Sequence, residues 1–238
     1  MKLAIIGYGK MGKIIENMAA ERQHEIVSII DKDNTQDIKT KGFASADAAI
    51  EFTEPVSAVS NFLTAFEQNV PVVSGTTGWL EDYDKVVKAC NDAGTAFFHA
   101  SNFSIGVNIL FEMNRKLAAI MQQFPQYKAG IEETHHIHKK DAPSGTAINL
   151  AQDILQCHSG LTTWKKGDTG KDDELPVNSI REGEIFGEHK ILYDSNVDFL
   201  ELKHKAKNRK GFALGAIMAA EFIQNKKGIF SMKDMLAI

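Results

Sequence analysis

The densest group of reactive side chains in the sequence is a run of three histidines and two lysines within six residues, His135–Lys140. The run stands at the end of a predicted strand. Such a concentration of positive charge suits a site that binds a small dianion or stabilises a developing carbanion. We therefore expect this run to form part of an anion-binding or catalytic site.

The same loop leads into a predicted helix. Ser144-Gly145-Thr146 follows Pro143, and the first backbone N–H groups of a helix can hold a carboxylate. Two other interpretations stay open, namely a zinc site and a solvated basic loop. No cysteine or acidic partner has suitable spacing for zinc, and a solvated loop does not explain clustered histidines beside a helix start.

A glycine-rich motif near residue 7 is typical of nucleotide binding. Gly7-Tyr8-Gly9-Lys10-Met11-Gly12 follows an apolar strand and opens a helical pattern. Gly7 would permit the tight turn, Gly9 the approach of a pyrophosphate, and Gly12 the close packing of helix and strand. The alternative is an ordinary glycine-rich turn.

An acidic residue closes the second predicted strand. Asp31 can accept hydrogen bonds from an adenosine ribose, which favours NADH over NADPH. Lys32 and Lys10 could each neutralise a 2′-phosphate, or could be solvated surface charges. Both NADH and NADPH therefore remain candidate cofactors.

Two polar segments follow later strands of the same predicted sheet. Gly75-Thr76-Thr77-Gly78 and Ala100-Ser101-Asn102-Phe103 lie at carboxyl ends of parallel strands, where open α/β folds bind ligands. Their small and hydroxyl side chains suit the nicotinamide half of a dinucleotide. Plain strand-to-helix turns are the alternative.

A second basic run, Lys203–Lys210, ends the last predicted strand before the final long helix. Alternation along a strand places Lys203, Lys205 and Lys207 on one face, which predicts a solvated surface. Arg209 stands at the expected domain junction, where its guanidinium could reach a ligand.

Composition limits the class of protein. The chain has 238 residues, 43% of them hydrophobic and 24% charged, with a net charge of −4 and two cysteines. These values exclude a disordered chain and disfavour a nucleic-acid-binding surface. The start of the sequence leaves no room for a signal peptide, and no apolar run is long enough to span a membrane. We expect a soluble, cytoplasmic protein.

The first predicted domain is a parallel Rossmann-type sheet of the α/β class, because short β-rich runs alternate with segments of helical spacing. Residues 1–104 and 210–238 are expected to form this dinucleotide-binding domain. The predicted strands are Leu3–Ile6, Glu25–Ile30, Ala48–Phe52, Val70–Val73 and Ala96–His99.

The second predicted domain spans residues 105–209 and is of the α+β type. A polar loop is expected over Lys165–Glu174, followed by three strands between 177 and 206 that predict an antiparallel meander. The sheet should therefore be mixed and largely antiparallel. Phe212–Gln224 predicts a helix that returns to the first domain.

Together these segments resemble the 4-hydroxy-tetrahydrodipicolinate reductase family, also called dihydrodipicolinate reductase, over the whole chain. Glu51 stands where the family usually has aspartate, and Lys10 where it usually has arginine. The resemblance rests on the glycine motif, Glu51-Phe52-Thr53-Glu54-Pro55, Gly75–Gly78, Asn102–Asn108, Glu133–Thr146, and the pattern from His204 to Ala216.

The resemblance implies roles for individual residues. His135 and Lys139 match the catalytic positions, while His136, Gly145 and Thr146 match positions that hold the substrate's carboxylates. The segments Gly75–Thr77 and Ala100–Phe103 match the contacts of the nicotinamide. The resemblance also implies a homotetramer formed through the sheet of the second domain.

We therefore expect an NAD(P)H-dependent reductase of a small cyclic dicarboxylate in lysine and diaminopimelate biosynthesis, with no metal, nucleic-acid or membrane partner. An imidazole, whose ordinary pKa is about 6.5, suits His135 to deliver the proton. An aspartate- or homoserine-type dehydrogenase shares the glycine motif but does not need the histidine run. A non-catalytic NAD sensor leaves that run without a purpose.

Overall fold

The computed structural model describes residues 1–168 and 171–238. The chain divides into two compact units, one of Met1–Ile105 with Arg209–Ile238, and one of Gly106–Asn208. These bounds lie within one residue of the domains expected from the sequence. No helix in the described part of the chain is long and apolar enough to cross a bilayer.

Strands and α-helices alternate along the chain, except for four successive strands between residues 163 and 205. The strands are β1 (Lys2–Ile6), β2 (Glu25–Ile30), β3 (Ala48–Glu51), β4 (Val72–Ser74), β5 (Ala96–His99), β6 (Lys128–His135), β7 (Thr163–Lys166), β8 (Glu174–Arg181), β9 (Glu188–Asp194), β10 (Phe199–Lys205) and β11 (Gly228–Phe230). The helices are α1 (Lys10–Glu21), α2 (Lys41–Ala44), α3 (Pro55–Glu67), α4 (Tyr83–Ala93), α5 (Ile105–Met121), α6 (Gly145–Cys157), α7 (Lys210–Ile223) and α8 (Met232–Leu236).

The first unit is built on a parallel sheet with the strand order β11-β5-β4-β3-β1-β2. Leu3 and Ile5 pack into a core that includes residues of α1 and α7, while Ala4 and Ile6 pack into a second core with residues of α3 and α4. A strand buried on both faces must be continuously apolar, which is why its sequence runs lack strict alternation. Strand β11, a three-residue segment after α7, was not expected.

The order of these strands creates a crevice at the carboxyl ends of the strands. β2 lies on one side of β1 and β3 lies on the other, so the connections leave β1 in opposite directions. In open α/β sheets ligands bind at such a point, beyond the carboxyl ends of the strands. The loops after β1, β2 and β3 are therefore placed to form a binding site.

The second unit contains a mixed sheet with the order β10-β9-β6-β8-β7. The predicted antiparallel meander is only partly correct. β9 and β10 pair as predicted, but β6 lies between β8 and β9 and pairs with both. Two of the four pairings are antiparallel and two are parallel, so the sheet is mixed but not largely antiparallel. The six residues Glu182–Gly187 between β8 and β9 form a connection that passes β6 rather than a hairpin turn.

The core of the second unit packs the sheet against two helices. Leu110 of α5 and Leu150 of α6 join Ile131, Val177 and Ile191 from the three central strands. The expected polar loop over Lys165–Glu174 is shorter than predicted, since Lys165 and Lys166 end β7 and Glu174 begins β8. Residues 169 and 170 of that loop lie outside the described part of the chain.

Candidate active site

A cavity of about 530 Å³ lies in the first unit at the carboxyl ends of β1, β2 and β3. Of the predicted cofactor residues, Gly7, Tyr8, Gly9, Asp31 and Lys32 line it. Thr35, Thr53, Ser57 and Asn61 also line the cavity, and the sequence analysis did not find them.

The glycine motif has the geometry that its spacing predicts. Gly7 has a φ of +93°, and a Cβ at this position would lie 2.1 Å from the carbonyl oxygen of Phe52. A Cβ on Gly12 would lie 2.3 Å from the carbonyl oxygen of Gly7, so the helix start approaches the turn closely. Beside Gly9 there is open space, and α1 begins after it without a side-chain cap. This end of α1 can therefore accept an anion.

Tyr8 and the next residues of the motif have different surroundings. The Tyr8 hydroxyl donates to Glu16, and this hydrogen bond raises the pKa of the phenol. Lys10 is exposed, whereas Met11 packs beside the core of the first unit. Neither Lys10 nor Met11 lines the cavity.

The loop after β2 holds Asp31 at the cavity. The backbone N–H of Lys32 donates to Asp31 Oδ1 over 2.9 Å, and the N–H of Asp31 donates to Asn34 Oδ1 over 2.6 Å. The side chain of Asn34 in turn donates to the carbonyl of Ile29. The turn thus presents an acidic and a basic side chain at one place, which leaves both NADH and NADPH chemically compatible with it.

The two predicted nicotinamide-side segments follow β4 and β5. In the sheet β4 pairs with β3, and β5 pairs with β4. Gly75 lies against the ring of Phe52, because a Cβ there would be 2.1 Å from that ring. Thr76 is buried, and Thr77 is exposed. The following segment brings the N–H of Ala100 to 3.3 Å from the carbonyl of Ser74.

Within that second segment the side chains differ in exposure. Ser101 is exposed and Asn102 is half-buried. The Oδ1 atom of Asn102 accepts from the N–H of Ser104. Phe103 is only 2% exposed, and its side chain packs in the core of the first unit and so anchors the segment there.

In the second unit, the end of β6 holds a buried cluster around Glu133 and His135. His135 Nδ1 lies 2.6 Å from Glu133 Oε2, and Arg181 Nη2 lies 2.9 Å from Glu133 Oε1. Because Glu133 and His135 are two residues apart in a strand, they share one face. The pairing of β6 with β8 sets Arg181 opposite His135.

The charge of Glu133 is strongly stabilised. Burial opposes its ionisation, but hydrogen bonds from Arg181 and Ser144, together with the contacts of His135 and Ser179, hold the pKa of this carboxyl well below its usual range. The N–H of Ser144 contributes one of these bonds, over 3.1 Å. An ionised carboxylate beside Nδ1 favours the tautomer that carries its proton there.

A second buried histidine joins this cluster from β9. The pairing of β6 with β9 sets His189 opposite Glu133, and the rings of His135 and His189 are 5.1 Å apart. Burial, with a smaller effect of the neighbouring His135, lowers the pKa of His189 to about 3. His189 is therefore neutral near pH 7, with its Nε2 3.2 Å from the hydroxyl of Ser144.

Glu133, His135 and His189 also have the spacing of metal ligands, since candidate ligand atoms lie within 4.8 Å of one another. The sequence argument against zinc was therefore wrong in one respect, because Glu133 is a suitably placed acidic partner. Arg181 already pairs with this carboxylate over 2.9 Å, and its positive charge opposes a cation beside it. The contacts described favour an ion-pair cluster.

The remaining residues of the loop after β6 lie before and at the N-terminus of α6. Both oxygens of Asp141 bond Lys139 Nζ at 2.8 Å, and this contact lowers the pKa of Asp141. His136 is half-buried, and its ring centroid is 5.9 Å from that of His138. Gly145 and Thr146 form the first turn of α6, after Ser144, whose hydroxyl caps the helix by accepting from the N–H of Ala147.

The second basic run is divided between the two units. Lys203 and Lys205 on β10 both bond Glu188, at 2.5 and 3.2 Å, which fits the solvated strand face that was predicted. Arg209 belongs to the first unit and precedes α7.

Models of one protein family match nearly all of the chain. The model described as "Dihydrodipicolinate reductase, N-terminus" matches residues 1–103, and the model described as "Dihydrodipicolinate reductase, C-terminus" matches residues 106–236. The chain belongs to the dihydrodipicolinate reductase family. The N-terminal model ends close to the first boundary between the two units, whereas the C-terminal model covers the second unit and continues into the last segment of the first.

Curated relatives agree with this assignment. A 4-hydroxy-tetrahydrodipicolinate reductase of Christiangramia forsetii is 47% identical over 237 residues, covering 100% of this chain and 98% of that protein. A protein of the same name from Clostridium novyi is 32% identical and covers 96% of this chain and 94% of its own.

A solved structure of similar fold is the "Dipicolinate bound Dihydrodipicolinate reductase from Paenisporosarcina sp. TG-14". It has a TM-score of 0.79 and 22% sequence identity, and the match covers 97% of each chain. This likeness confirms the fold class predicted from the sequence. Membership of the family confirms the predicted reductase activity and its NADH or NADPH cofactor.

Two important residues were missed by sequence reasoning. Arg181 and His189 both contact the cluster around Glu133, although neither lies near it in sequence. A signal for Arg181 was available, because a buried glutamate beside a proposed catalytic histidine needs a positive partner. No local pattern could have found His189.

Proposed function

We propose that this chain reduces 4-hydroxy-tetrahydrodipicolinate to tetrahydrodipicolinate, with NADH or NADPH, in the synthesis of diaminopimelate and lysine. The observation that carries this proposal is the imidazole of His135 held by a buried carboxylate, Glu133, in a member of this family. The glycine motif and the cavity of about 530 Å³ beside it support a dinucleotide site in the first unit.

The residues around that cavity fit the two ends of a dinucleotide. The N-terminus of α1 with Gly9 would hold the pyrophosphate, Asp31 would accept from the adenosine ribose, and Gly75–Thr77 with Ala100–Phe103 would contact the nicotinamide half. The bound nucleotide supplies the hydride. Lys32 and Lys10 are the candidate contacts to a 2′-phosphate.

His135 is the proposed proton donor. With Nδ1 directed at Glu133, its Nε2 atom is the position from which a proton can be given to the substrate. The carboxylate orients the imidazole, and Arg181 keeps that carboxylate ionised by its contact with Oε1. Neutral His189 beside the ring adds no competing positive charge near pH 7.

The proposed substrate carries two carboxylates, and the loop after β6 offers groups for them. His136, the ammonium of Lys139 and the first backbone N–H groups of α6, from Gly145 and Thr146, are the candidates. Lys139 donates to both oxygens of Asp141, and the third N–H of its ammonium can donate to a substrate carboxylate. The dipicolinate in the Paenisporosarcina protein is a cyclic dicarboxylate of this kind. Arg209 stays a predicted substrate contact.

We also propose a cytoplasmic homotetramer that forms through the sheet of the second unit. β10 is an edge strand of that sheet, and the side chains in and before it are unusually exposed for apolar residues. Val197 is 86% exposed, Phe199 66% and Leu200 43%. An apolar sheet edge of this kind is suited to pairing with another copy of the chain.

Turnover of the proposed substrate tests the function directly. Freshly generated 4-hydroxy-tetrahydrodipicolinate should drive the loss of nicotinamide absorbance from NADH or NADPH, assayed in parallel. His135→Ala should lower turnover by roughly 10²–10⁴-fold with little change in nucleotide affinity, since a general acid is lost. His138→Ala is the matched control, because His138 is an exposed histidine of the same loop and should leave turnover near the wild-type value.

The same assay separates the rival functions. Oxidation of aspartate or homoserine with no reduction of the cyclic substrate would assign an amino-acid dehydrogenase. Nucleotide binding without any turnover would assign a sensor. Normal turnover by His135→Ala would mean that the proton comes from another group.

A further inference from the structure

Glu51, the last residue of β3, is a fully buried carboxylate in the middle of the parallel sheet, and the proposed reaction does not use it. Three hydroxyl groups donate to it. Thr53 and Thr76 donate to Oε1, the latter over 3.0 Å, and Ser74 donates to Oε2 over 2.7 Å. The ion pairs in the described part of the chain do not include Glu51.

A buried carboxylate without a positive partner is costly for folding. Burial raises the pKa of Glu51, although the hydrogen bonds from the three hydroxyls oppose this rise. The preceding residues of β3, Ala48, Ala49 and Ile50, are apolar and buried, as expected in a central parallel strand. An apolar residue at this position would stabilise the sheet more than Glu51 does. The presence of a carboxylate here therefore needs another explanation.

The three hydroxyls extend the contacts of Glu51 to neighbouring segments. A hydroxyl that donates to the carboxylate leaves its lone pairs for other donors. Thr76 Oγ1 accepts from the N–H of Thr53 over 2.8 Å, and Ser74 Oγ accepts from the N–H of Thr76 over 3.3 Å. Thr53 Oγ1 accepts from Ser57 Oγ over 3.1 Å. Glu51 therefore orients groups at the ends of β3 and β4 and in the first turn of α3.

This network forms part of the wall of the cavity beside the glycine motif. Thr53 and Ser57 both line that cavity. Thr76 lies in the turn after β4, where Gly75 is fitted against the ring of Phe52, another lining residue. A change in the rotamer of Thr76 would therefore alter the turn that follows β4.

We propose that Glu51 is a positioning residue of the nucleotide site, which holds Thr53 and Thr76 so that the turn Gly75–Thr77 keeps the conformation that contacts the nicotinamide half of NADH. The inference rests on the proposed function for the class of cofactor and for the contact of this turn with the nicotinamide half. Glu51 itself acts through the hydroxyls and does not touch the nucleotide.

Direct binding of NADH, measured by fluorescence titration without substrate, tests this role. Glu51→Gln should raise the Kd for NADH by about tenfold or more, because the carboxylate that orders the hydroxyls is lost. Glu67→Gln is the matched control, since Glu67 is an exposed residue at the end of α3. The Kd for AMP, which lacks the nicotinamide half, should stay within about twofold of the wild-type value in both variants.

A second pair of variants tests the hydroxyl link without removing the carboxylate. Thr76→Val should weaken NADH binding, whereas Thr76→Ser, which keeps the hydroxyl, should restore it. Thr64→Val is the control for this substitution, because the hydroxyl of Thr64 bonds only within α3, to the carbonyl of Ser60. This pair decides the question if Glu51→Gln fails to fold.

The outcomes separate the inference from the proposed function. Wild-type affinity for NADH in both Glu51→Gln and Thr76→Val would overturn the positioning role and leave the proposed function intact. Equal weakening of NADH and AMP would also overturn it, since the effect would then be a general loss of structure. Failure of the wild-type chain to bind NADH or NADPH would overturn both.

Discussion

At the scale of single residues, two buried glutamates show opposite electrostatic situations. Glu133 is bonded to Arg181 and His135, and its pKa lies well below the usual range. Glu51 is surrounded by hydroxyls, and burial raises its pKa. The first arrangement orients an imidazole, whereas the second orders neutral hydroxyl groups.

Replacing Glu133 tests its role in orienting His135. Glu133→Gln should lower kcat by roughly 10²–10⁴-fold, because an amide can donate to Nδ1 and so favour the wrong tautomer of the imidazole. Nucleotide affinity, measured by fluorescence titration, should stay near the wild-type value. Glu132→Gln is the matched control, since Glu132 bonds Lys190 and stands on the other face of β6. Normal kcat in Glu133→Gln would show that His135 needs no carboxylate.

His189 predicts a pH dependence of stability. Its pKa is about 3 in the folded chain, below the ordinary value of 6.5, so the unfolded chain binds this proton more readily. Its contribution to stability is complete above about pH 6.5 and is lost as the pH falls from there towards 3. Between pH 6.5 and 5 the free energy of unfolding should therefore fall, by up to about 1.4 kcal/mol per pH unit from this residue.

Denaturant unfolding at a series of pH values measures this effect. The groups that act on His189 are His135, Glu133, His204 and Lys139, and all of them are retained in His189→Gln. That variant should show a shallower fall between pH 6.5 and 5, whereas His138→Gln, at an exposed position, should keep the wild-type slope. Identical slopes in His189→Gln and wild type would mean that His189 is protonated in the folded chain.

At the scale of elements, the turn from β1 into α1 contains two glycines with different roles. Gly7 is needed for folding, whereas Gly9 is proposed to be needed for nucleotide binding. Gly7→Ala should destabilise the first unit by about 1–3 kcal/mol or more, because its φ of +93° and the nearby Phe52 carbonyl leave no place for a methyl group. Gly9→Ala should cost less, about 1 kcal/mol, since open space surrounds that position and alanine is only a poorer N-cap than glycine.

The two variants should differ in their ligand binding as well. Gly9→Ala should weaken NADH at least tenfold despite its near-normal thermal unfolding, because the methyl group would stand where the pyrophosphate approaches the backbone. Thermal unfolding and NADH titration of both variants measure the difference. Unchanged NADH affinity in Gly9→Ala would place the pyrophosphate elsewhere.

The central position of β6 is the other feature at this scale that matters for function. Its neighbours β8 and β9 bring Arg181 and His189 to Glu133 and His135 from both sides. In the predicted meander β8 and β9 would have paired directly, and these four side chains would not have met. The pairing of strands therefore creates the cluster.

At the scale of the whole molecule, the exposed apolar residues of β10 are the proposed contact between subunits of the homotetramer. We expect the wild-type chain to sediment as a tetramer in analytical ultracentrifugation and Phe199→Glu to sediment as a smaller species, because a charge at a buried contact is costly. Leu80→Glu is the control, since Leu80 is an apolar residue of the first unit and is 61% exposed. A monomeric wild type, or a tetrameric Phe199→Glu, would contradict the proposed interface.

The sequence alone indicated the family, the parallel sheet of the first unit and the helices α1, α6 and α7. The glycine motif, the alternation of apolar runs with helical segments and the start of α6 are local features, and each depends on residues that are close in sequence. Strands β2 and β5 were predicted with the bounds that the structure has. A local pattern also singled out the histidine-rich run that begins at His135, and the catalytic role of His135 stays a prediction.

Only the tertiary structure decided which distant side chains meet. Arg181 bonds a carboxylate 48 residues away, and Ser74 bonds one 23 residues away. The order of strands in a mixed sheet is set by the packing of whole elements, and hydrophobic periodicity describes the face of a strand but not its neighbours. The cluster around Glu133 and the hydroxyl network around Glu51 are consequences of that order, which is why no local pattern in the sequence predicted them.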